Sequence, residues 1–306
     1  IWEKVQEIRD QLPALKALLV VNGITDTVRG EFNLDELLAQ SPGDCLLSGR
    51  QIQSTDTAGY FHTGGTTGTP KLVRHTHGNQ VYQAWGLRLT MPIEPGGVVL
   101  FGLPLFHVGG ALTQGLVVLA NGGSLVVLSP AGWRNPVAVQ NVWRLVERYQ
   151  PALWGGVPTV LAAALSVPVG DADVSSIRVA SGGGSAIPVA VCKTYAEKFK
   201  VPVLEVYGMT ETSSVHVMSY PDRPIRLGSV GHPLPYSQVR IVKVDGQGSY
   251  VGDCAVNEIG VVAMSGPGVF SGYLSDKHNS GAFVEPGWVN SGDLGRLDED
   301  EIGRAS

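Results

Sequence analysis

The sequence predicts an α/β protein: stacked, mostly parallel sheets with flanking helices, and a smaller β-rich part of distorted-barrel character. Three observations predict it. Short β-branched runs alternate with helical patterns at steps of roughly 25 residues, as in successive βαβ units. Those runs are apolar throughout, as expected where both faces of a parallel sheet are covered. After about Pro221 the texture changes, and Gly and Pro recur between segments that alternate in polarity.

Taken in order, Leu18–Val21 and Tyr60–His62 read as strands and Asn79–Leu89 as a helix, the remains of one α/β unit spanning residues 1–97. A second unit, 98–222, holds strands at Val98–Phe101, Ser124–Leu128, Ala152–Gly155, Ile177–Ala180 and Val203–Val206. Helices fall between them at Gly110–Leu119, Val137–Tyr149, Thr159–Leu165 and Val189–Phe199. In 223–306, Gln238–Val244 and Glu258–Met264 read as antiparallel strands.

Composition narrows the function. The 306 residues are 43% hydrophobic and 16% charged, against an average of about 25% charged, which implies extensive burial. The net charge of -5 comes without a basic cluster, so nucleic acid is not an expected partner. Pro95–Trp133 lacks Asp, Glu, Lys and Arg, but Gly, Pro, His107, Gln114 and Asn121 interrupt it. It reads as a buried strand–helix–strand unit and not as a transmembrane segment. Cys45, Cys192 and Cys254 match no metal or redox spacing and suit a reducing, cytoplasmic setting, and no signal peptide is visible.

In an open parallel sheet, ligands bind beyond the carboxyl ends of the strands. Three unusual loops fall there: Pro104-Leu105-Phe106-His107, Ser181-Gly182-Gly183-Gly184-Ser185, and Tyr207-Gly208-Met209-Thr210-Glu211-Thr212. The strongest feature is Thr63-Gly64-Gly65-Thr66-Thr67-Gly68-Thr69-Pro70-Lys71, directly after a strand. Its glycines let successive N–H groups converge on an anion, its threonines add hydroxyl donors, and Lys71 adds a positive charge. It is not the GxxxxGK[ST] loop, because Pro70 precedes Lys71 and neither Ser nor Thr follows.

This string resembles the phosphate loop of the adenylate-forming superfamily, the acyl-CoA synthetases, luciferases and peptide-synthetase adenylation domains. Tyr207–Thr212 resembles its YGxTE segment, Ser181–Pro188 its Gly-rich adenine loop, and Gly228–Pro233 and Gly266–Tyr273 two of its β-rich landmarks. Trp288–Gly295 resembles its TGD segment, with Ser291 in place of Thr. The order is the family's, and the resemblance spans essentially the whole chain.

The resemblance implies ATP, Mg²⁺ and CoA as ligands and a small carboxylic acid as substrate. Thr63, Gly64, Gly65, Thr66, Thr67, Gly68 and Lys71 would hold the β- and γ-phosphates. Gly182, Gly183 and Gly184 would line the adenine pocket, where absent side chains admit a flat base, Tyr207 would cover its other face, and Gly208 would also belong to the nucleotide site. Thr210 would bond the α-phosphate, Glu211 would bind Mg²⁺, and Asp293 would accept from the ribose hydroxyls. Lys71, Thr210 and Glu211 would be the catalytic set, and His107 would bound the carboxylate pocket. His75 and His77 flank the phosphate loop, where charge would help it, but like the other histidines they read as structural.

The family has a longer N-terminal stretch and a mobile C-terminal domain, and the Lys-Asp of its hinge does not follow Gly303-Arg304. A fragment inactive in the full reaction is therefore expected. No acid accompanies His107 to pair with an α-amino group, which favours a simple, apolar carboxylic acid. A non-catalytic nucleotide-binding module is the alternative from another class. A dinucleotide-dependent oxidoreductase is disfavoured, because Ser181–Ser185 lacks the GxGxxG spacing. Oligomeric state is left open.

Overall fold

The computed structural model describes residues 2–23, 25–63, 71–91, 93–299 and 303–305, in two units, Ile1–Ile52 and Gln53–Ser306. In the first, α1 (Trp2–Ile8) precedes β1 (Leu18–Val20), which pairs in parallel with β2 (Glu31–Asn33). Asn33 then starts α2 (Leu34–Gln40), its side-chain oxygen accepting from the N–H of Asp35 at 2.9 Å. Glu31, 4% exposed, is held by Arg9 at 2.9 Å.

The second unit opens with an antiparallel pair, β3 (Thr57–His62) and β4 (Leu72–Thr76). The expected strand Tyr60–His62 is the end of β3, and β4 was not expected. Its five residues lie between the glycine-rich string and a helix cap, too short a run to show its period. Thr76 and Asn79 form a reciprocal capping box that starts α3 (His77–Thr90).

Next, β5 (Val98–Phe101) and β6 (Ser124–Val127) pair in parallel. Between them the chain winds as a π-helix over Gly109–Leu116 before α4 (Val117–Ala120), where an ordinary helix over Gly110–Leu119 was expected. A Cβ on Gly110 would lie 2.1 Å from the Pro104 carbonyl oxygen, so this loop closes tightly only with glycine there. The expected helix Val137–Tyr149 is two helices, α5 (Pro136–Gln140) and α6 (Val142–Tyr149). At the break, the Asn141 side chain donates to the Val137 carbonyl at 2.9 Å and competes with the helix's own ladder.

A five-stranded sheet follows. β7 (Leu153–Gly156), β8 (Val179–Gly183) and β9 (Val203–Tyr207) run parallel, linked by α7 (Pro158–Leu165) and α8 (Val189–Phe199). β10 (Val217–Met218) and β11 (His232–Pro233) extend the sheet antiparallel. β8 starts two residues later than expected because Ile177 closes a turn onto Val174, and it runs on through Gly182 and Gly183. The helices bury Trp143, Trp154, Leu161 and Tyr195 against one face, with the Trp143 and Trp154 rings edge to face at 5.9 Å.

The β-rich part comprises β12 (Gln238–Val244), β13 (Tyr250–Asp253), β14 (Gly260–Ser265), β15 (Phe283–Glu285), β16 (Trp288–Leu297) and β17 (Gly303–Ala305). Its order is β13-β12-β14-β16-β15, with β17 also on β16, all antiparallel. The described strands form an open sheet and do not close into a barrel.

His216, fully buried just before β10, donates from Nε2 to the Gln238 carbonyl at 3.1 Å. Burial pushes its pKa from 6.5 down to about 4. Between those values the unfolded chain holds more protons than the folded one, so stability rises with pH across that window. This imidazole is expected to remove about 3 kcal/mol of stability as pH falls from 7 to 4. Urea unfolding at several pH values checks it, and His216→Gln should flatten the slope.

Candidate active site

The carboxyl ends of β8 and β9 set the site's centre. A Cβ on Gly183 would lie 2.4 Å from the Val206 carbonyl oxygen, and one on Gly182 2.7 Å from Leu161 Cδ1. At these two positions the missing side chains allow close strand and core packing, while the backbone faces the site. Gly184 differs, with φ of +83° and only Val157 Cγ1, at 4.0 Å, near its Cβ position.

After Tyr207 the chain turns sharply. A Cβ on Gly208 would sit 1.8 Å from the Ser214 carbonyl oxygen, so only glycine fits. Thr210–Thr212 then form one 3₁₀ turn, locked by the Thr212 hydroxyl, which accepts from the Met209 N–H at 3.0 Å. Ser213 and Ser214 follow with φ of 59° and 104°, unusual for residues other than glycine. Ser213 is held by its own hydroxyl on the Gly268 carbonyl at 2.8 Å.

Asp293 reaches the site through an irregularity in β16. Val261 faces Leu294 across the sheet, but Ala263 faces Asn290, so Ser291-Gly292-Asp293 bulges out of the ladder. Gly292 supplies φ of +75°, and Asp293 N–H is fixed on the Ser291 hydroxyl at 3.0 Å. The Tyr207 hydroxyl donates to Asp293 Oδ2 at 2.8 Å. Burial first, then the adjacent carboxylate charge, hold the Tyr207 phenol protonated well above its ordinary range.

On the opposite wall, Thr63 and Lys71 close the end of the β3–β4 pair, Thr63 N–H donating to the Lys71 carbonyl at 2.9 Å. Gly64, Gly65, Thr66, Thr67 and Gly68, with Thr69 and Pro70, lie outside the described residues. The Lys71 ammonium stands 4.8 Å from the centre of the Tyr273 ring. The Tyr273 hydroxyl donates to Glu211 Oε1 at 2.5 Å, and Tyr273 is tied to β4 through an isolated bridge to Val73. Glu211 is only 5% exposed. Beneath it, fully buried His75 donates from Nε2 to the Thr210 carbonyl at 2.7 Å. Burial lowers the His75 pKa, so this ring anchors the turn as a neutral group and adds no charge to the neighbouring loop.

These groups line one cavity of about 970 Å³. Thr63, Lys71, His107, Gly182, Gly183, Gly184, Tyr207, Gly208, Thr210, Glu211 and Asp293 all contribute to its wall. One end is apolar, with Met91, Ile93, Val99, Val118, Leu153, Val206 and Val215. Sequence reasoning missed Tyr273, Gln114 and the pair Thr113 and Ser214, which also face the cavity. Tyr273 closes the Gly266–Tyr273 landmark, a signal that could have marked it.

His107 Nδ1 accepts from the Gly109 N–H at 3.1 Å, which leaves Nε2 as the protonated nitrogen. Burial and the neighbouring His62 lower its pKa and keep it neutral. Among the described residues, no group of three or more His, Cys, Asp or Glu could hold a metal by itself. No described helix is long and apolar enough to cross a membrane.

The described wall of this cavity thus brings together the glycine turns after β8 and β9, the carboxylates of Glu211 and Asp293, and the ammonium of Lys71. The chain belongs to the AMP-binding enzyme family, which matches residues 3–274. It is 37% identical over 268 residues to a marinolic acid–CoA ligase of Pseudoalteromonas sp. (strain SANK 73390), covering 86% of this chain and 41% of that protein. It is 32% identical over 271 residues to the 2-succinylbenzoate–CoA ligase of Bacillus subtilis (strain 168), covering 88% and 52%. The chain thus spans about half the length of the curated relatives it matches.

Among solved structures, it is similar to the O-succinylbenzoate coenzyme A synthetase MenE of Bacillus subtilis in complex with AMP, with TM-score 0.73, 28% identity, and 99% of this chain and 60% of that one covered. The anthranilate CoA ligase AuaEII in complex with anthranoyl-AMP shares the fold, with TM-score 0.85 at 23% identity, over 99% of this chain and 56% of that one.

Proposed function

We propose that this chain carries the adenylate-forming site of an acyl-CoA ligase, which joins a carboxylic acid to AMP at the expense of ATP and then passes the acyl group to CoA. The observation that carries the reading is the meeting of all described candidate residues, from separate loops, on one cavity that also has an apolar end.

In this reading the substrate carboxylate oxygen attacks the α-phosphorus, the bond from that phosphorus to the bridging oxygen breaks, and pyrophosphate leaves. Thiolate attack on the acyl carbonyl then expels AMP. Lys71 neutralises charge on the β- and γ-phosphates, which Thr63, Gly64, Gly65, Thr66, Thr67 and Gly68 would also hold. The Thr210 hydroxyl bonds the α-phosphate. Tyr207 covers the adenine opposite Gly182, Gly183 and Gly184, with Gly208 beside it in the nucleotide site, and Asp293 accepts from the ribose.

Glu211 fits Mg²⁺: it is a single buried carboxylate on the cavity wall with one described side-chain partner, and Mg²⁺ takes one or two carboxylates with phosphates and water. When bound, the ion would neutralise phosphate charge. His107, neutral and donating from Nε2, positions the carboxylate. The apolar end carries no ionisable group among its described residues, which favours an acyl group without a second charge. The three unpaired cysteines suit a cytoplasmic setting.

The test is ribose recognition. Calorimetric titration should give tighter binding of AMP than of its 2′,3′-dideoxy analogue. Asp293→Ala should weaken AMP by about 10- to 100-fold, the loss of charge-assisted bonds worth about 1.5–3 kcal/mol. The same variant should erase the preference. Equal binding of both nucleotides by the unaltered chain would remove the role given to Asp293.

A further inference from the structure

Three polar side chains on the cavity wall have no part in the chemistry above: Thr113, Gln114 and Ser214. Thr113 and Gln114 are adjacent on the π-helical Gly109–Leu116, and Ser214 follows the Thr210–Thr212 turn. The Thr113 and Ser214 hydroxyl oxygens are 2.7 Å apart. Two hydroxyls that share one hydrogen bond use one of their two O–H donors, so the other remains available. The Gln114 side-chain oxygen accepts from the N–H groups of Gly102 at 3.3 Å and Leu103 at 3.2 Å. Those bonds fix the amide's orientation and leave its NH₂ as a donor without a described protein partner.

The same cavity wall carries apolar residues, among them Val99, Val108, Val118, Val206 and Val215. The wall therefore offers neutral donors in a hydrophobic setting. Covering them with plain hydrocarbon would strip their water and return nothing, at roughly 1–3 kcal/mol for each group left unmade. Ser214 holds its place at φ of 104°, a conformation that costs on the order of 1–3 kcal/mol in a residue other than glycine. Neutral donors without a cation suit a neutral acceptor better than a second carboxylate, which would call for Arg or Lys.

We propose that Thr113, Gln114 and Ser214 form a subsite for a neutral acceptor oxygen on the acyl chain, such as a ketone, ether or hydroxyl group, so that the preferred acid is an oxygenated one. This rests on the reading that the acyl group occupies the apolar end of the cavity.

The experiment is calorimetric titration of the chain with 5′-O-(N-acylsulfamoyl)adenosines: octanoyl, and a set of keto-octanoyl isomers that moves one carbonyl along the chain. At least one keto isomer should bind about ten-fold or more tightly than octanoyl, equivalent to about 1.4 kcal/mol. Gln114→Glu keeps both backbone bonds and exchanges the donor for an acceptor, and Thr113→Val removes a hydroxyl at constant shape. Each should bring the keto-to-octanoyl ratio toward one, with AMP binding reporting that the variant is folded. A chain that binds octanoyl as tightly as every keto isomer overturns the subsite. So do variants that weaken both analogues equally, because the residues would then serve the carbonyl common to all substrates. If no acyl analogue binds more tightly than AMP, the acyl assignment of the cavity itself fails.

Discussion

Gly208→Ala is expected to destabilise the chain by about 3 kcal/mol or more, because the clash is with backbone and has no side chain to move aside. The new methyl would meet the Ser214 carbonyl oxygen at 1.8 Å and the His216 N–H nitrogen at 2.9 Å. Those atoms belong to the segment that returns to pair with β9, where His216 N–H bonds the Tyr207 carbonyl at 2.9 Å. Relieving the overlap would separate β10 from β9 and carry Thr210 and Glu211 out of place. Denaturant unfolding should show the loss, and nucleotide binding should fall with it. Gly252→Ala, on β13 with nothing near its Cβ position, is the control and should change stability by less than about 0.5 kcal/mol.

Glu211→Gln is expected to remove the gain in ATP affinity that Mg²⁺ provides, about 10- to 100-fold, or about 1.4–2.7 kcal/mol. Glutamine keeps the shape and can still accept the Tyr273 hydroxyl bond, so the change isolates the charge. Affinity for AMP measured without metal should change far less. Tyr273→Phe should produce a smaller loss of the same kind, about five-fold, because it removes the bond that aims Glu211 but keeps the ring beneath Lys71. Calorimetric titrations of ATP with Mg²⁺ and with EDTA check both. Unaltered Mg²⁺ dependence in Glu211→Gln would take the metal away from this carboxylate.

Where a segment's own pattern was decisive, the sequence was sufficient. Val98–Phe101 is a strand residue for residue, an apolar run bounded by Gly97 and Gly102. Val189–Phe199 is a helix residue for residue, preceded by Pro188 and ended by Lys200 in a left-handed conformation. Local signals failed where the deciding contact was remote. The π-winding of Gly109–Leu116 depends on close approach of Gly110 to Pro104, and no period announces it. The bulge at Ser291-Gly292-Asp293 exists only against the register of β14. Strand β8 absorbs Gly182 and Gly183 because their missing side chains fit Leu161 and Val206, residues far away in the chain.

The site shows the same division. Its loops were recognisable as strings, so many of the described positions on the cavity wall could be named from sequence, while Thr113, Gln114, Ser214 and Tyr273 could not. Their mutual geometry could not. Tyr273 meets Glu211 across 62 positions and Tyr207 meets Asp293 across 86, and no local pattern encodes such pairs. His75 was visible as a residue close to the glycine-rich string, yet only its burial under Thr210 shows that it supports the turn and carries no charge.

An acyl-adenylate should fill this cavity. The most direct measurement is thermal unfolding of the chain with a non-hydrolysable acyl-adenylate analogue, Mg-ATP and NAD in parallel. A ligand that binds only the folded chain stabilises it by about 2.7 kcal/mol at 100 times its dissociation constant. A clear upward shift of the midpoint is expected with the acyl-adenylate analogue, a smaller one with Mg-ATP and none with NAD. No shift with any adenylate, or a larger one with NAD, would show that the cavity does not take an acyl-adenylate.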